Sequence, residues 1–178
     1  HSTKVAAGYP YAQQNARDID LPMFREIIDR FRNALNVQII GSGEPMLNKD
    51  IFAMIDYAAR KGMIVKMFSN GTTIGDHIDA LLDSRLHGLT ISVNGHDEGE
   101  FSRMTGMDPS RYGSILSAAK RLIEARDARR SRLKVKLSFI IDKQNYRQIP
   151  AMAKVAGELR PDGVLFCNFL ATDHPGLT

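Results

Sequence analysis

The residues best suited to chemistry are Gly41-Ser42-Gly43-Glu44-Pro45. Two glycines let the backbone turn sharply and leave main-chain N–H and C=O groups open to a ligand. Glu44 is the only charge in the stretch. Pro45 fixes one torsion and restricts the residue before it, so the carboxylate sits on a stiffened loop and suits a cationic group such as an amine. The same five residues also fit a strand-to-helix turn in which glycine and proline serve geometry alone. Further polar residues follow apolar runs along the chain: Ser69 and Asn70, Ser92 and Asn94, Asp142, and Asn168. Each is a residue type favoured as a turn former or helix cap. Together they form a rim of hydroxyl and amide groups around one carboxylate, suited to a polar ligand with hydroxyls and an amine.

The elements that must position this rim alternate. Asp20 caps a helix with Pro22 in its first turn, and Phe24, Ile27, Ile28, Phe31 and Leu35 share one face. Strand Val37–Ile40, the glycine loop and a helix from about Asn48 follow, the last carrying Ile51, Met54, Ile55 and Ala58 up to a Lys61-Gly62 stop. Strand Met63–Phe68 precedes a helix marked by Ile78, Leu81 and Leu82. Strand Leu89–Val93 leads to a short helix near Glu98–Met104 and a longer one from Ser110 with Tyr112, Ile115, Leu116, Ala119, Leu122 and Ile123 inward. Strand Leu133–Ile141, a helix with Tyr146, Ile149, Met152, Ala153, Ala156 and Leu159, and strand Val164–Leu170 complete the series. Strands alternating with helices predict right-handed βα units and a parallel sheet, an α/β fold whose ligands bind at the carboxyl ends of the strands.

Composition narrows the class. The 178 residues are 43% hydrophobic and 25% charged, ordinary for one soluble globular domain over residues 1–178. Net charge is +4, with Arg121, Arg126, Arg129, Arg130, Arg132, Lys134 and Lys136 crowded into one helix end and the next strand. A solvated helix C-terminus accounts for that run better than a nucleic-acid patch. Cys167, the only cysteine, excludes an internal disulfide and a multi-cysteine metal site; within an apolar strand it reads as a small core hydrophobe. No run of about 18 apolar residues supports a membrane span. His77, His87, His96 and His174 fall singly on loops or helix ends, in surface or capping roles.

Four segments in order, Gly41 to Leu47, Phe68-Ser69-Asn70-Gly71-Thr72, Ile91-Ser92-Val93-Asn94-Gly95 and Phe101-Ser102-Arg103-Met104-Thr105-Gly106, resemble the radical S-adenosylmethionine enzymes over nearly the whole chain. The resemblance implies a partial (β/α)6 TIM-like barrel, present here with about five parallel strands. It implies that Ser42, Gly43, Glu44 and Pro45, the counterpart of a Gly-Gly-Glu-Pro loop, bind the methionine amine of S-adenosylmethionine. Ser69, Asn70, Ser92 and Asn94 would face the ribose and the methionine carboxylate. Arg103 would pair with that carboxylate through its planar fork, and backbone around Ile140 and Phe166 would flank adenine. The implied function is reductive cleavage of S-adenosylmethionine to a 5′-deoxyadenosyl radical that abstracts a hydrogen from a substrate, with a 4Fe-4S cluster, a reductant such as ferredoxin or flavodoxin, and a cytoplasmic location.

The departures carry as much. The family's Cys-x3-Cys-x2-Cys run, whose thiolates hold three irons of the cluster, is absent, and so is the first strand. The chain thus reads as a fragment that begins just after the last cluster cysteine, with no metal ligand of its own. The alternative is a cluster-free barrel, nucleotide-binding or purely structural. The fragment reading predicts a three-cysteine run immediately before His1 in the natural reading frame. Sequencing upstream checks this, and a frame that starts near His1 or continues without cysteines would defeat the enzyme reading.

Overall fold

Five apolar runs pair in chain order into one parallel sheet: β1 (Asn36–Ile39), β2 (Ile64–Ser69), β3 (Gly88–Ser92), β4 (Lys134–Ile141) and β5 (Gly163–Asn168). The computed structural model describes residues 18–31, 33–41 and 43–168. Six helices accompany the strands: α1 (Leu21–Arg30), α2 (Ile51–Arg60), α3 (Ile78–Asp83), α4 (Glu98–Thr105), α5 (Arg111–Ala128) and α6 (Ile149–Leu159). Strands added sequentially through right-handed crossovers bring every connecting helix to the same side of the sheet.

Burial follows from that one-sidedness. Val65 and Met67, Leu89 and Ile91, and Val135, Leu137 and Phe139 are wholly buried, against a helix layer that includes Ile55, Leu81, Leu122 and Met152. The residues between them point to the opposite face, because successive side chains of a strand alternate. That face is polar and open, carrying Gln38, Lys66, Thr90, Ser92 and Lys136. The result is the expected α/β architecture, five parallel strands of a partial barrel with flanking helices. Among the described residues no helix is long and apolar enough to cross a membrane.

Several details differ from the sequence reading. Helix α1 ends at Arg30, with Phe31 as its C-cap, so only Phe24 and Ile28 reach the core, while Ile27, Phe31 and Leu35 are exposed. Asn48 to Asp50 lie in a turn after a 3-10 segment, Pro45–Leu47, and α2 starts three residues late. Tyr146 occupies a 3-10 turn and is exposed, as is Ala153. Cys167 pairs in register with Ile140 on the open face and is half-buried, not core. The basic run is no single patch: Arg126 is buried and pairs with Asp162 and Asp127, Arg129 pairs with Asp79 and Asp83, and Lys134 pairs with Asp162. The end of the predicted last strand, Phe169 and Leu170, and His174 lie outside the described residues.

Two glycines share a left-handed backbone and differ in surroundings. Gly62, after α2, has φ +86° with open space around it, whereas a Cβ on Gly71, φ +84°, would meet Ile115 Cγ2 at 2.6 Å. Gly62→Ala should therefore cost only the left-handed penalty, about 1–2 kcal/mol. Gly71→Ala should cost a further ~1–3 kcal/mol of overpacking against α5. Urea denaturation of the two variants measures the gap; equal losses would mean that the β2 loop and α5 are not in close contact.

Candidate functional site

The carboxyl ends of the strands gather the polar residues, and Glu44 ties the first two together. Its side chain is buried, 7% exposed, and caps the 3-10 segment by accepting from the Met46 N–H at 3.2 Å. It also accepts from the Asn70 N–H at 2.8 Å and from the Ser69 hydroxyl at 3.0 and 3.1 Å. One hydroxyl carries one proton, so three donors meet a group with about four acceptor sites. A further donor can still be accommodated. Pro45 begins the 3-10 segment and Gly43 leaves open space beside the loop. Ser42 lies outside the described residues.

At the next strand ends, Asn70 accepts from Thr72 N–H and Oγ1 at 3.0 and 2.7 Å, and Ser92 pairs with Ser138 hydroxyl to hydroxyl at 3.3 Å. Asn94 takes a left-handed backbone, φ +55°, a conformation short polar side chains tolerate. Its Oδ1 accepts from the Ile140 N–H at 3.2 Å. The side-chain amide nitrogens of Asn70 and Asn94 have no partner among the described residues. Gly95 is fixed by packing, since a Cβ there would stand 2.4 Å from the Phe101 N in the first turn of α4. That approach brings α4 over the rim. Phe166 stacks on Phe139, centroids 5.8 Å apart, on the helix-covered face, which leaves only its backbone toward a ligand.

Arg103 arrives on α4 between two carboxylates. Its Nε and Nη2 donate to Glu100 at 2.9 and 2.6 Å, and its Nη1 and Nη2 donate to Asp142 at 2.8 and 3.3 Å. Of the guanidinium's five N–H groups, one on Nη1 stays free. Glu100 is buried and also accepts from Asn145 Nδ2 at 2.8 Å; Asn145, fully buried, donates to the Ile140 carbonyl at 2.9 Å. The Arg103 hydrogen bonds hold the Glu100 carboxyl below its ordinary value despite its burial. Burial pushes Asp142 up, but Arg103 and the N–H groups of Gln144 and Asn145 outweigh it and leave it low. The guanidinium is pushed higher still by the same two carboxylates.

The predicted residues Gly43, Glu44, Pro45, Ser69, Asn70, Ser92, Asn94 and Ile140 thus collect along the carboxyl edge of β1 to β4, and Arg103 joins them from α4. Glu100 and Asn145 were not foreseen. Glu100 had a signal, the i, i+3 spacing to Arg103 on one helix, whereas nothing in the sequence sets Asn145 apart from a turn former. The histidines sit as caps and neighbours: His77 Nδ1 lies 2.8 Å from the Thr73 carbonyl, His87 Nδ1 accepts from the Val65 N–H, and His96 Nε2 lies 3.1 Å from Asp97.

Residues 7–156 match the Radical SAM superfamily. The chain belongs to that superfamily. It is 25% identical over 149 residues to the PqqA peptide cyclase of Gluconobacter oxydans, covering 83% of this chain and 40% of that one. It is 30% identical over 135 residues to the Fe-coproporphyrin III synthase of Methanosarcina barkeri, covering 75% and 32%. The chain therefore spans less than half the length of the curated relatives it matches. Among solved structures, SuiB of Streptococcus suis superposes with a TM-score of 0.71 at 20% identity over 92% of this chain and 36% of that one. The enzyme anSMEcpe with bound AdoMet gives 0.67 at 15% identity over 89% and 45%. These likenesses show the radical SAM fold.

The rim's chemistry fits a polar cofactor: one buried carboxylate with an acceptor site to spare, two unpartnered amide donors and a guanidinium with a free N–H. It does not fit an iron–sulfur cluster. The chain has one cysteine, and among the described residues no three His, Cys, Asp or Glu side chains group to hold a metal ion.

The Glu100–Arg103–Asp142 cluster has a pH signature. Both carboxyls titrate below their ordinary values when folded, so their contribution is complete above the ordinary carboxylate range and is lost as pH falls through the lowered values. Glu100→Gln should cost about 1.5–3 kcal/mol at neutral pH and progressively less below a pH of about 4. Urea midpoints of the two proteins across this range give the difference; a gap that does not narrow in acid would show that the pair is not what Glu100 stabilises.

Proposed function

We propose that the rim at the carboxyl ends of β1 to β4 binds S-adenosylmethionine and that the chain is the core of a radical SAM enzyme. The observation that supports this most directly is the buried Glu44 carboxylate, held by three protein donors with an acceptor site left for a fourth. In this reading Glu44 takes the methionine amine, while Asn70 and Asn94 offer amide N–H groups to the ribose and carboxylate with Ser69 and Ser92 beside them. Arg103 lends its remaining N–H and its charge to the methionine carboxylate. Its position is already fixed by Glu100 and Asp142, so it loses little freedom on binding. Backbone at Ile140 and Phe166 flanks the adenine. In the superfamily, S-adenosylmethionine and a 4Fe-4S cluster together supply a 5′-deoxyadenosyl radical for hydrogen abstraction, with an electron donor such as ferredoxin or flavodoxin as partner. This chain's own donors do not fit the cluster, and what it contributes is binding and orientation of the cofactor.

A second reading has an observation of its own. One cysteine cannot supply three thiolates, which is also the composition of a cluster-free barrel that retains the nucleotide rim. Iron content and 5′-deoxyadenosine formation by the natural full-length protein separate the two.

Removing the Glu44 carboxylate should weaken S-adenosylmethionine binding by about tenfold to a hundredfold, the worth of one charge-assisted hydrogen bond. Calorimetric titration of wild type, Glu44→Ala and Glu44→Gln in the full natural chain, purified anaerobically, tests it. Circular dichroism identifies a variant that has lost its fold, and Glu44→Gln keeps one acceptor oxygen for the Asn70 and Ser69 contacts. Unchanged affinity in two folded variants would return Glu44 to the role of a structural tie.

A further inference from the structure

The open face of the sheet carries a charge pattern that the rim does not use. None of the strand residues in β1 to β5 is acidic, and the three that are charged, Lys66, Lys134 and Lys136, all point to the open face. Lys134, at the foot of β4, is paired with Asp162 at 3.0 Å. Asp162 is also bound by Arg126 and by the Val135 N–H at 2.9 Å, which commits its acceptors. Lys66 and Lys136 have no hydrogen bond or ion pair among the described residues.

Their setting is spacious. In register, Gln38, Lys66, Gly88 and Lys134 form one row across the sheet, and Phe68, Thr90, Lys136 and Gly163 form the next. Gly88 and Gly163 leave the lysine stems uncrowded: a Cβ at either would touch the neighbouring lysine no closer than 3.5 Å. Lys66 and Lys136 stand two strands apart, about 10 Å. Lys136 is four residues before Ile140, so its Cα lies about 13 Å below the rim. Ser92 and Ser138 occupy the level between. A surface made only to meet water would carry both signs; here a path of hydroxyls leads from the rim to two unneutralised cations.

We infer that Lys66 and Lys136 recognise the anionic end of an elongated ligand, carrying two or more carboxylate or phosphate charges, whose other end reaches the rim. That this ligand is the substrate rests on the cofactor reading given above; the anion site itself does not. Each ammonium is a compact point charge with three donors on a long stem, suited to carboxylates and phosphates arriving at variable angles. The ligand's charged end would fix its depth, leaving the uncharged end beside the rim.

Calorimetric titration of the protein with citrate and, separately, with inorganic pyrophosphate, in the absence of S-adenosylmethionine, tests the site. Both probes carry several charges, and the tighter of the two assigns the ligand to carboxylates or to phosphates. Lys66→Met and Lys136→Met should each weaken binding about tenfold, as the loss of one charge-assisted contact requires. Lys66→Arg and Lys136→Arg should retain most of it. Lys154→Met, on the exposed side of α6, should leave it unchanged. Failure of the wild type to bind either probe, or an equal loss in Lys154→Met, would overturn the inference. Absence of S-adenosylmethionine binding would defeat the cofactor reading alone and leave the anion titration standing.

Discussion

One-sided burial is the constraint on which everything else here depends. A parallel sheet built in chain order sends each crossover helix to the same face, so the apolar residues of every strand face one way and the alternate residues are released from packing. Met67 and Phe68, or Leu137 and Ser138, differ by one position and serve different purposes. The helix layer supplies the free energy of folding, mainly by removing aliphatic surface from water. The other face can then carry lysines, hydroxyls and a half-buried thiol without forfeiting a core.

At the carboxyl edge the same arrangement leaves strand ends that must be tied to one another by side chains, because no helix covers them. Glu44 joins the β1 loop to the end of β2, Asn94 joins β3 to β4, and Asn145 joins β4 to Glu100 on α4. Two buried carboxylates and two asparagines accomplish this with satisfied hydrogen bonds, which a buried polar network must have if it is not to cost stability. The rim is therefore held in shape by the protein's own contacts, and a ligand meets groups already aimed.

Much of this was legible in the residues. Period-two apolar runs and capped amphipathic segments gave the strand and helix order, and the carboxyl-edge rule gave the rim, because both follow from backbone geometry that each segment carries locally. Helix α1 was read too long: Phe31 and Leu35 keep the helical spacing after the backbone has left it. Cys167 was placed in the core because β5 is apolar along both faces, and an apolar run cannot say which face is inward. Glu100 and Asn145 were missed for a related reason. Their roles come from partners 39 to 45 residues away, and only the closed fold brings those segments together.

The Asn70-Gly71 pair on the rim has a bearing on the protein's chemical lifetime. Asparagine followed by glycine is the sequence most prone to losing its side-chain amide, because the glycine nitrogen can close a ring onto the neighbouring carbonyl carbon. Here the Gly71 N–H is held by Ser69 Oγ at 2.9 Å, and the Asn70 carbonyl oxygen is held by Thr72. Ring closure would have to break both contacts and turn Gly71 out of the space against Ile115. The folded rim thus shields a bond that the unfolded chain would leave exposed, and ageing at this position proceeds at the pace of local opening.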